Sequence, residues 1–261
     1  MIKAIFCDLD KTLLDDFKKV SKKNELMINK AKEKGVKFFI DTGRLPSNFK
    51  ELDCVIDLDN FVSCNGSLIK LNGEYVRKEA LDKDEVFKLI EQGKKFNVET
   101  RVFCIDDVFS LGKDTLFNGI ALFCKSVNEE KLRTIVENED IYKVCFLSME
   151  HEKLKRIQEY IKNNLTKAKS VFSTSVFLEN HSLNVSKGEA IERICELSNY
   201  SKDEILCIGD NENDLSMFDK GFHGTCPSNA ILEIKEKSEY VSPFSNNKSA
   251  VGDIIEHFLS L

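Results

Sequence analysis

Residues 4–16 read AIFCDLDKTLLDD, and the order of residue types in that stretch sets the frame for the rest of the chain. Ala4, Ile5, Phe6 and Cys7 form an unbroken apolar run that stops at carboxylates, the pattern of a strand buried on both faces that ends at a sheet edge. Asp8 and Asp10 follow two residues apart, with the Thr12 hydroxyl two residues further on. A helical pattern runs from about 20 to 34, with Leu26, Ile28 and Ala31 among charged residues and Gly35 placed to end it. A second buried strand, VKFFI, leads into DTGR at 41–44. A short helical piece is expected near 46–52, and FVSCNGSLI at 61–69 reads as a third strand.

The tail repeats this rhythm: a helix from about 187 to 199, the strand in EILCIGD, a short helix around ENDLSMF, the strand-like GFHGTC, a helix near 229–237, EYVS, and an amphipathic helix from about 248 to 259. Alternating strands and helices predict an α/β fold, a doubly wound and mostly parallel sheet made from residues 1–81 and 185–261. Residues 82–184 have a different texture. Helices are expected in DKDEVFKLIEQGKKF and near 129–138 and 150–164. Strands are expected in VETRVFCI, DVFSLG, GIALFCKS, IYKVCFLSM, KSVFST and SVFLENHS. This stretch is an α+β module inserted between the two halves of the sheet, large enough to fold compactly.

Composition narrows the function classes. With 261 residues, 42% hydrophobic and 31% charged, the chain reads as a soluble globular protein. Its longest apolar runs, such as IALFC, fall far short of the roughly 18–20 residues of a membrane span. The first residues lack the basic, apolar and small-residue zones of a signal peptide, so the cytoplasm is expected. A net charge of −6 argues against a nucleic-acid partner, which needs a basic surface. The nine cysteines are odd in number, scattered and without a CxxC pair, which predicts reduced, buried thiols. Nothing in the sequence bears on oligomeric state.

Ligands of an open parallel sheet bind at the carboxyl edge of its strands. Four polar signatures fall at such strand ends or at helix starts: DLDKT (8–12), DTGR (41–44), SKGEA (186–190) and GDNENDLSMF (209–218). Together and in this order they resemble the motifs of the haloacid dehalogenase superfamily, specifically its Cof-like phosphatases with a large α/β cap between the second and third motifs. TGR at 42–44, NGS at 65–67, KG at 187–188 and SNA at 228–230 extend the resemblance over the whole chain. It implies a Rossmann-like core with an inserted cap, and a magnesium-dependent phosphatase acting on a small phosphorylated metabolite, sugar phosphates first. Asp8 would be the nucleophile and Asp10 the acid and base. The Asp8 side chain, the Asp10 backbone carbonyl and Asp210 would hold Mg2+, with Asp214 orienting its water shell. The N–H groups of Leu9 and Gly43, the Thr42 hydroxyl, Lys187 and the Asn213 amide would hold the phosphoryl oxygens, and Thr12 would hold the first motif's loop.

Elementary electrostatics agrees. Asp8, Asp10, Asp210 and Asp214 at one sheet edge would repel a phosphate dianion unless cations were supplied, and Lys187 offers a single positive charge. Hard oxygen ligands favour magnesium over zinc. Read from Asp10 instead, DKT resembles the phosphorylated loop of ion-pumping ATPases, but the continuation DKTGT demands Gly and Thr at positions where this chain has Leu13 and Leu14. Lys11 and Asp41 depart from the Cof-like pattern, which usually has glycine and alanine there. Arg44 could pair with phosphate or form a structural salt link. His181 is the one histidine placed near the return from the insertion. The alternatives are a phosphomutase and a non-catalytic phosphometabolite sensor; a sensor would need neither Asp8 nor Asp10.

Overall fold

In the computed structural model, which describes residues 1–49, 55–112 and 124–260, the opening apolar run forms strand β1 (Ala4–Cys7), every residue of it buried. Helix α1 (Lys22–Glu33) follows. The Ser21 side chain caps it by accepting the Asn24 N–H, and Gly35 turns the chain away at a φ of 82°. The buried face of α1 is Met27, Ile28 and Ala31. Leu26, expected there, is 54% exposed, because the helical repeat places it across the turn from Ile28. Next come β2 (Lys37–Asp41), β3 (Phe61–Ser63), β4 (Leu68–Leu71) and β5 (Glu74–Lys78).

The middle of the chain supplies helix α2 (Lys83–Phe96), β6 (Glu99–Phe103), β7 (Val108–Leu111), β8 (Cys124–Ser126), α3 (Glu129–Asn138), β9 (Lys143–Leu147), α4 (His151–Asn164), β10 (Ala168–Thr174) and β11 (Phe177–Ser182). The tail adds α5 (Lys187–Ser198), β12 (Ile205–Ile208), α6 (Leu215–Phe218), β13 (His223–Cys226), α7 (Leu232–Lys237), β14 (Tyr240–Val241) and α8 (Ala250–Leu259). The 46–52 piece is a single 3-10 turn at Pro46–Asn48, and its residues 50–52 lie outside the described residues, as do residues 119–123 of GIALFCKS.

Two compact units result. One comprises Met1–Arg44, Asn48–Arg77 and Ser186–Leu261; the other comprises Leu45–Ser47 and Lys78–Val185. The first holds an eight-stranded sheet ordered β14-β13-β12-β1-β2-β3-β4-β5, and the second a six-stranded sheet ordered β10-β11-β9-β6-β7-β8. In the first sheet β1 pairs in parallel with both β2 and β12, so the winding reverses beside β1. Each face of that sheet has its own core. Ile5, Cys7 and Ile40 pack with Met27, Ile28 and Ala31 of α1 and Ile254 and Ile255 of α8, while Ala4, Phe6 and Phe39 pack with Ala190, Ile191 and Ile194 of α5. Phe6 and Phe39 stack at 4.7 Å. Burying each such large side chain contributes about 1.5–3 kcal/mol, which fixes the polar strand ends that follow.

The stretch 61–69 departs from expectation. It is two antiparallel strands, β3 and β4, paired Phe61↔Lys70 and Ser63↔Leu68, with a 3-10 turn at Cys64–Gly66 between them. Its apolar flanks suggested one strand, yet the Asn65–Gly66 dipeptide is itself a turn signal. No disulfide joins the eight cysteines among the described residues, and seven of them are buried. No helix among the described residues is long and apolar enough to cross a membrane.

Candidate active site

The loops after β1 and β12 leave the same edge of the first unit's sheet. The Asp8 N–H donates to the Ile208 carbonyl at 2.9 Å, which carries the parallel pairing one residue beyond β1 and brings Asp8 beside the loop holding Asp210. Helix α5 delivers the cation: Ser186 caps its start by accepting the Glu189 N–H at 3.2 Å, and Lys187 is its first residue. Lys187 Nζ, fully buried, donates to Asp8 Oδ1 at 2.6 Å and to Asp214 Oδ1 at 2.5 Å. The other Asp214 oxygen accepts the backbone N–H groups of Asp210 (2.8 Å) and Asn211 (3.0 Å). The Thr12 hydroxyl donates to Asp210 Oδ1 at 2.7 Å, joining positions 198 residues apart. Groups from both ends of the chain thus meet through direct hydrogen bonds.

The cluster carries more negative charge than its lysine neutralises. Burial pushes the Asp8 carboxyl well above the usual range; Lys187 opposes this, and the carboxylates of Asp214, Asp210 and Asp10 add to it. Burial, reinforced by Asp214, pushes Asp210 up to about 7 against the Thr12 hydrogen bond. Burial works against the Lys187 charge, but Asp214, Asp8 and Asp41 outweigh it and keep the ammonium protonated. Carboxylate oxygens of Asp8, Asp210 and Asp214 lie within 4.8 Å of one another, a buried set of hard donors that suits a divalent cation. Both Asp214 oxygens are already engaged, so Asp8 and Asp210 are the better placed direct donors.

Asp10 is arranged differently. Arg44 grips it with a two-point fork, Nε to Oδ2 at 2.7 Å and Nη2 to Oδ1 at 2.6 Å, and Lys18 Nζ reaches Oδ1 at 2.6 Å. Burial pulls the carboxyl upward, but Arg44 and Lys18 outweigh it and hold Asp10 at about 2. Of the two readings of Arg44, the structure contains the salt link. Lys18 carried no sequence signal. It reaches Asp10 through a local turn in which Asp15 Oδ1 accepts the N–H groups of Phe17 and Lys19, both at 2.9 Å.

The remaining site residues surround this centre. Thr42 is buried at the end of β2 and accepts the Arg44 N–H on its hydroxyl at 3.2 Å. Leu9 and Gly43 directly follow Asp8 and Thr42 in the chain, and the Leu9 side chain is packed in the core. Asn213 Nδ2 donates to Asn65 Oδ1 at 3.1 Å, a partner that no expectation included. Lys11 is exposed at a φ of 62°, which accounts for the glycine usual at that position, and its carbonyl accepts from Asn229 Nδ2 at 2.8 Å. His181 is buried on β11 in the second unit, where burial holds its imidazole down at about 4.

Asp41 is the anomaly. It is fully buried, neither carboxyl oxygen has a hydrogen-bond partner among the described residues, and burial, against the pull of Lys187 and with Asp214 adding, raises it to about 7. An unfolded aspartate titrates near 3.9. The folded state therefore holds its proton more tightly, and stability falls as pH rises from about 4 through 7, by on the order of 4 kcal/mol. Asp41→Ala is expected to melt above the wild type, by a margin that grows between pH 5 and pH 8. An unchanged margin across that range in thermal denaturation would count against the isolated carboxyl.

Comparison with known proteins identifies the family. A family model described as haloacid dehalogenase-like hydrolase matches residues 5–255. The 5-amino-6-(5-phospho-D-ribitylamino)uracil phosphatase YwtE of Bacillus subtilis is 27% identical over 99% of each chain, and the phosphoglycolate phosphatase of Thermoplasma volcanium is 25% identical over 99% of each. A solved haloacid dehalogenase-like hydrolase from B. subtilis superposes with a TM-score of 0.88 at 23% identity, covering 98% of this chain and 99% of that one. With the family model spanning nearly the whole sequence, this chain belongs to the haloacid dehalogenase-like hydrolase family.

Proposed function

We propose that the protein is a magnesium-dependent phosphatase of small phosphorylated metabolites, with sugar phosphates the leading class, working through an aspartyl-phosphate on Asp8. The observation that carries this reading is the buried contact of Lys187 with Asp8 inside a cluster of carboxylates contributed by both ends of the chain. Two relatives named for phosphatase activity on small phosphorylated molecules support the substrate class. Residues 1–81 and 185–261 form the catalytic core in this reading, residues 82–184 are the cap that supplies specificity, and the cytoplasm is the place of action.

The Asp8 side chain, the Asp10 backbone carbonyl and Asp210 would hold the ion. When bound, magnesium supplies neutralisation of the carboxylates and of the phosphoryl oxygens. An Asp8 oxygen attacks phosphorus while the bond from phosphorus to the leaving oxygen breaks, and Asp10 gives that oxygen its proton. A water then yields a proton to Asp10, its oxygen attacks phosphorus, and Asp8 departs as carboxylate with inorganic phosphate released. Lys187, the Thr42 hydroxyl, the Asn213 amide and the N–H groups of Leu9 and Gly43 hold the phosphoryl oxygens as charge shifts among them. Thr12 and Asp214 fix Asp210 from two sides. Because Arg44 and Lys18 hold Asp10 ionised, its turn as acid requires it to take up a proton and loosen from that grip.

Phosphate release from p-nitrophenyl phosphate and a panel of sugar phosphates tests the proposal. Turnover with magnesium is expected to fall at least ~100-fold on chelation and to return on re-addition. No turnover in either condition would leave the sensor, and sugar phosphate isomerisation without phosphate release would make the protein a mutase.

A further inference from the structure

The turn between β3 and β4 has an uncommon backbone. Cys64, Asn65 and Gly66 all lie in the left-handed region, with φ of 49°, 54° and 101°. Two of the three carry side chains, for which that region is unfavourable, and a run of such residues persists only where its surroundings impose it. Those surroundings include Thr42 and Asn213, two of the phosphate-holding residues of the proposed site. The Asn65 N–H donates to the Thr42 carbonyl at 3.0 Å and the Cys64 N–H to the Arg44 carbonyl at 3.2 Å. The Asn65 Oδ1 accepts from Asn213 Nδ2 at 3.1 Å. On the third side, a Cβ on Gly66 would lie 2.4 Å from the Ser186 carbonyl oxygen, at the residue that caps α5 directly before Lys187. Three consecutive residues therefore reach Thr42, Asn213 and the start of the Lys187 helix.

We infer that Asn65 is a positioning residue for phosphoryl binding, acting through the Asn213 amide. With its Nδ2 committed to Asn65 Oδ1, Asn213 is oriented so that the second N–H of the same nitrogen is available to a phosphoryl oxygen. The reversed amide would present a carbonyl oxygen to an anion. Asparagine suits the position for two reasons: its short polar side chain tolerates the left-handed backbone, and its amide oxygen is the acceptor that sets Asn213. Asn65 is 1% exposed, so its amide oxygen is withdrawn from water, while Asn213 at the other end of the bond is half-buried. The inference rests on the phosphatase reading, since it assigns how one of that site's phosphate donors is aimed.

A double-mutant cycle on the full chain tests it. Asn65→Gly permits the left-handed turn and removes the acceptor; Asn213→Ala removes the donor. The quantities read are kcat and KM for p-nitrophenyl phosphate, the inhibition constant of inorganic phosphate, and the melting temperature. Each single variant is expected to weaken phosphate inhibition and raise KM by about 10-fold, with kcat changed less. The double variant is expected to be no worse than Asn213→Ala alone. An unchanged inhibition constant in Asn65→Gly, or losses that multiply in the double variant, would overturn the inference while leaving the phosphatase reading intact. A wild type with neither turnover nor phosphate inhibition would overturn both. Should glycine loosen the turn, seen as a fall in melting temperature, Asn65→Ser removes the amide while keeping a side chain and is read in the same way.

Discussion

Asp8→Asn is expected to lower turnover by on the order of 10⁴-fold or more, the scale seen when a nucleophile is removed from a working constellation. The amide matches the carboxylate in shape but cannot attack phosphorus, so the loss falls on kcat. The fold should survive. Asp8 is buried among like charges and its carboxyl is pushed well up, so a neutral isostere relieves repulsion, while Lys187 keeps its contact with Asp214. Wild-type turnover in this variant would remove Asp8 from the reaction. Loss of turnover together with loss of cooperative unfolding would mean that its role is structural.

Lys187→Met carries the largest expected effect on stability. The ammonium is fully buried and bridges Asp8 and Asp214, so its removal strands two buried carboxylates without their cation. Breaking a buried pair from one side destabilises by about 3–5 kcal/mol, roughly 10 °C in a chain of this size. The Asp8 carboxyl, pushed well up by burial, can be neutralised by a proton, so the deficit should shrink as pH falls. Inhibition by inorganic phosphate should weaken in parallel. A variant with the melting temperature and phosphate inhibition of the wild type would contradict the geometry of the cluster. Asp41 makes the contrast sharp: it is a carboxylate of the same neighbourhood whose removal is expected to stabilise, because no hydrogen bond is lost with it.

Much of this was legible in the sequence because it is carried by apolar runs that end in polar signatures. β1, β2 and β12 are short buried strands, and the residues after them, Asp8, Thr42 and Asp210, are placed by strand order alone. Lys187 was legible for a related reason: Ser186 and Glu189 form a recognisable helix start around it. What escaped depends on local backbone conformation. The left-handed run at 64–66 sits between two apolar segments, so hydrophobic pattern merged β3 and β4 into one strand and hid the link from Asn65 to Asn213. Lys18 belongs to a lysine-rich surface stretch, and only the turn around Asp15 aims it at Asp10. The isolation of Asp41 is also invisible beforehand, since it reflects which polar groups its neighbours lack.

The most direct test of the central claim is a crystal structure of the protein grown with magnesium and beryllium fluoride, a mimic of an acyl-phosphate. The account predicts beryllofluoride joined to an Asp8 carboxylate oxygen, a magnesium ion bound by Asp8, the Asp10 carbonyl and Asp210, and Lys187 and the Asn213 amide on the fluorines. Beryllofluoride on another side chain, or a magnesium ion bound away from Asp8 and Asp210, would contradict it.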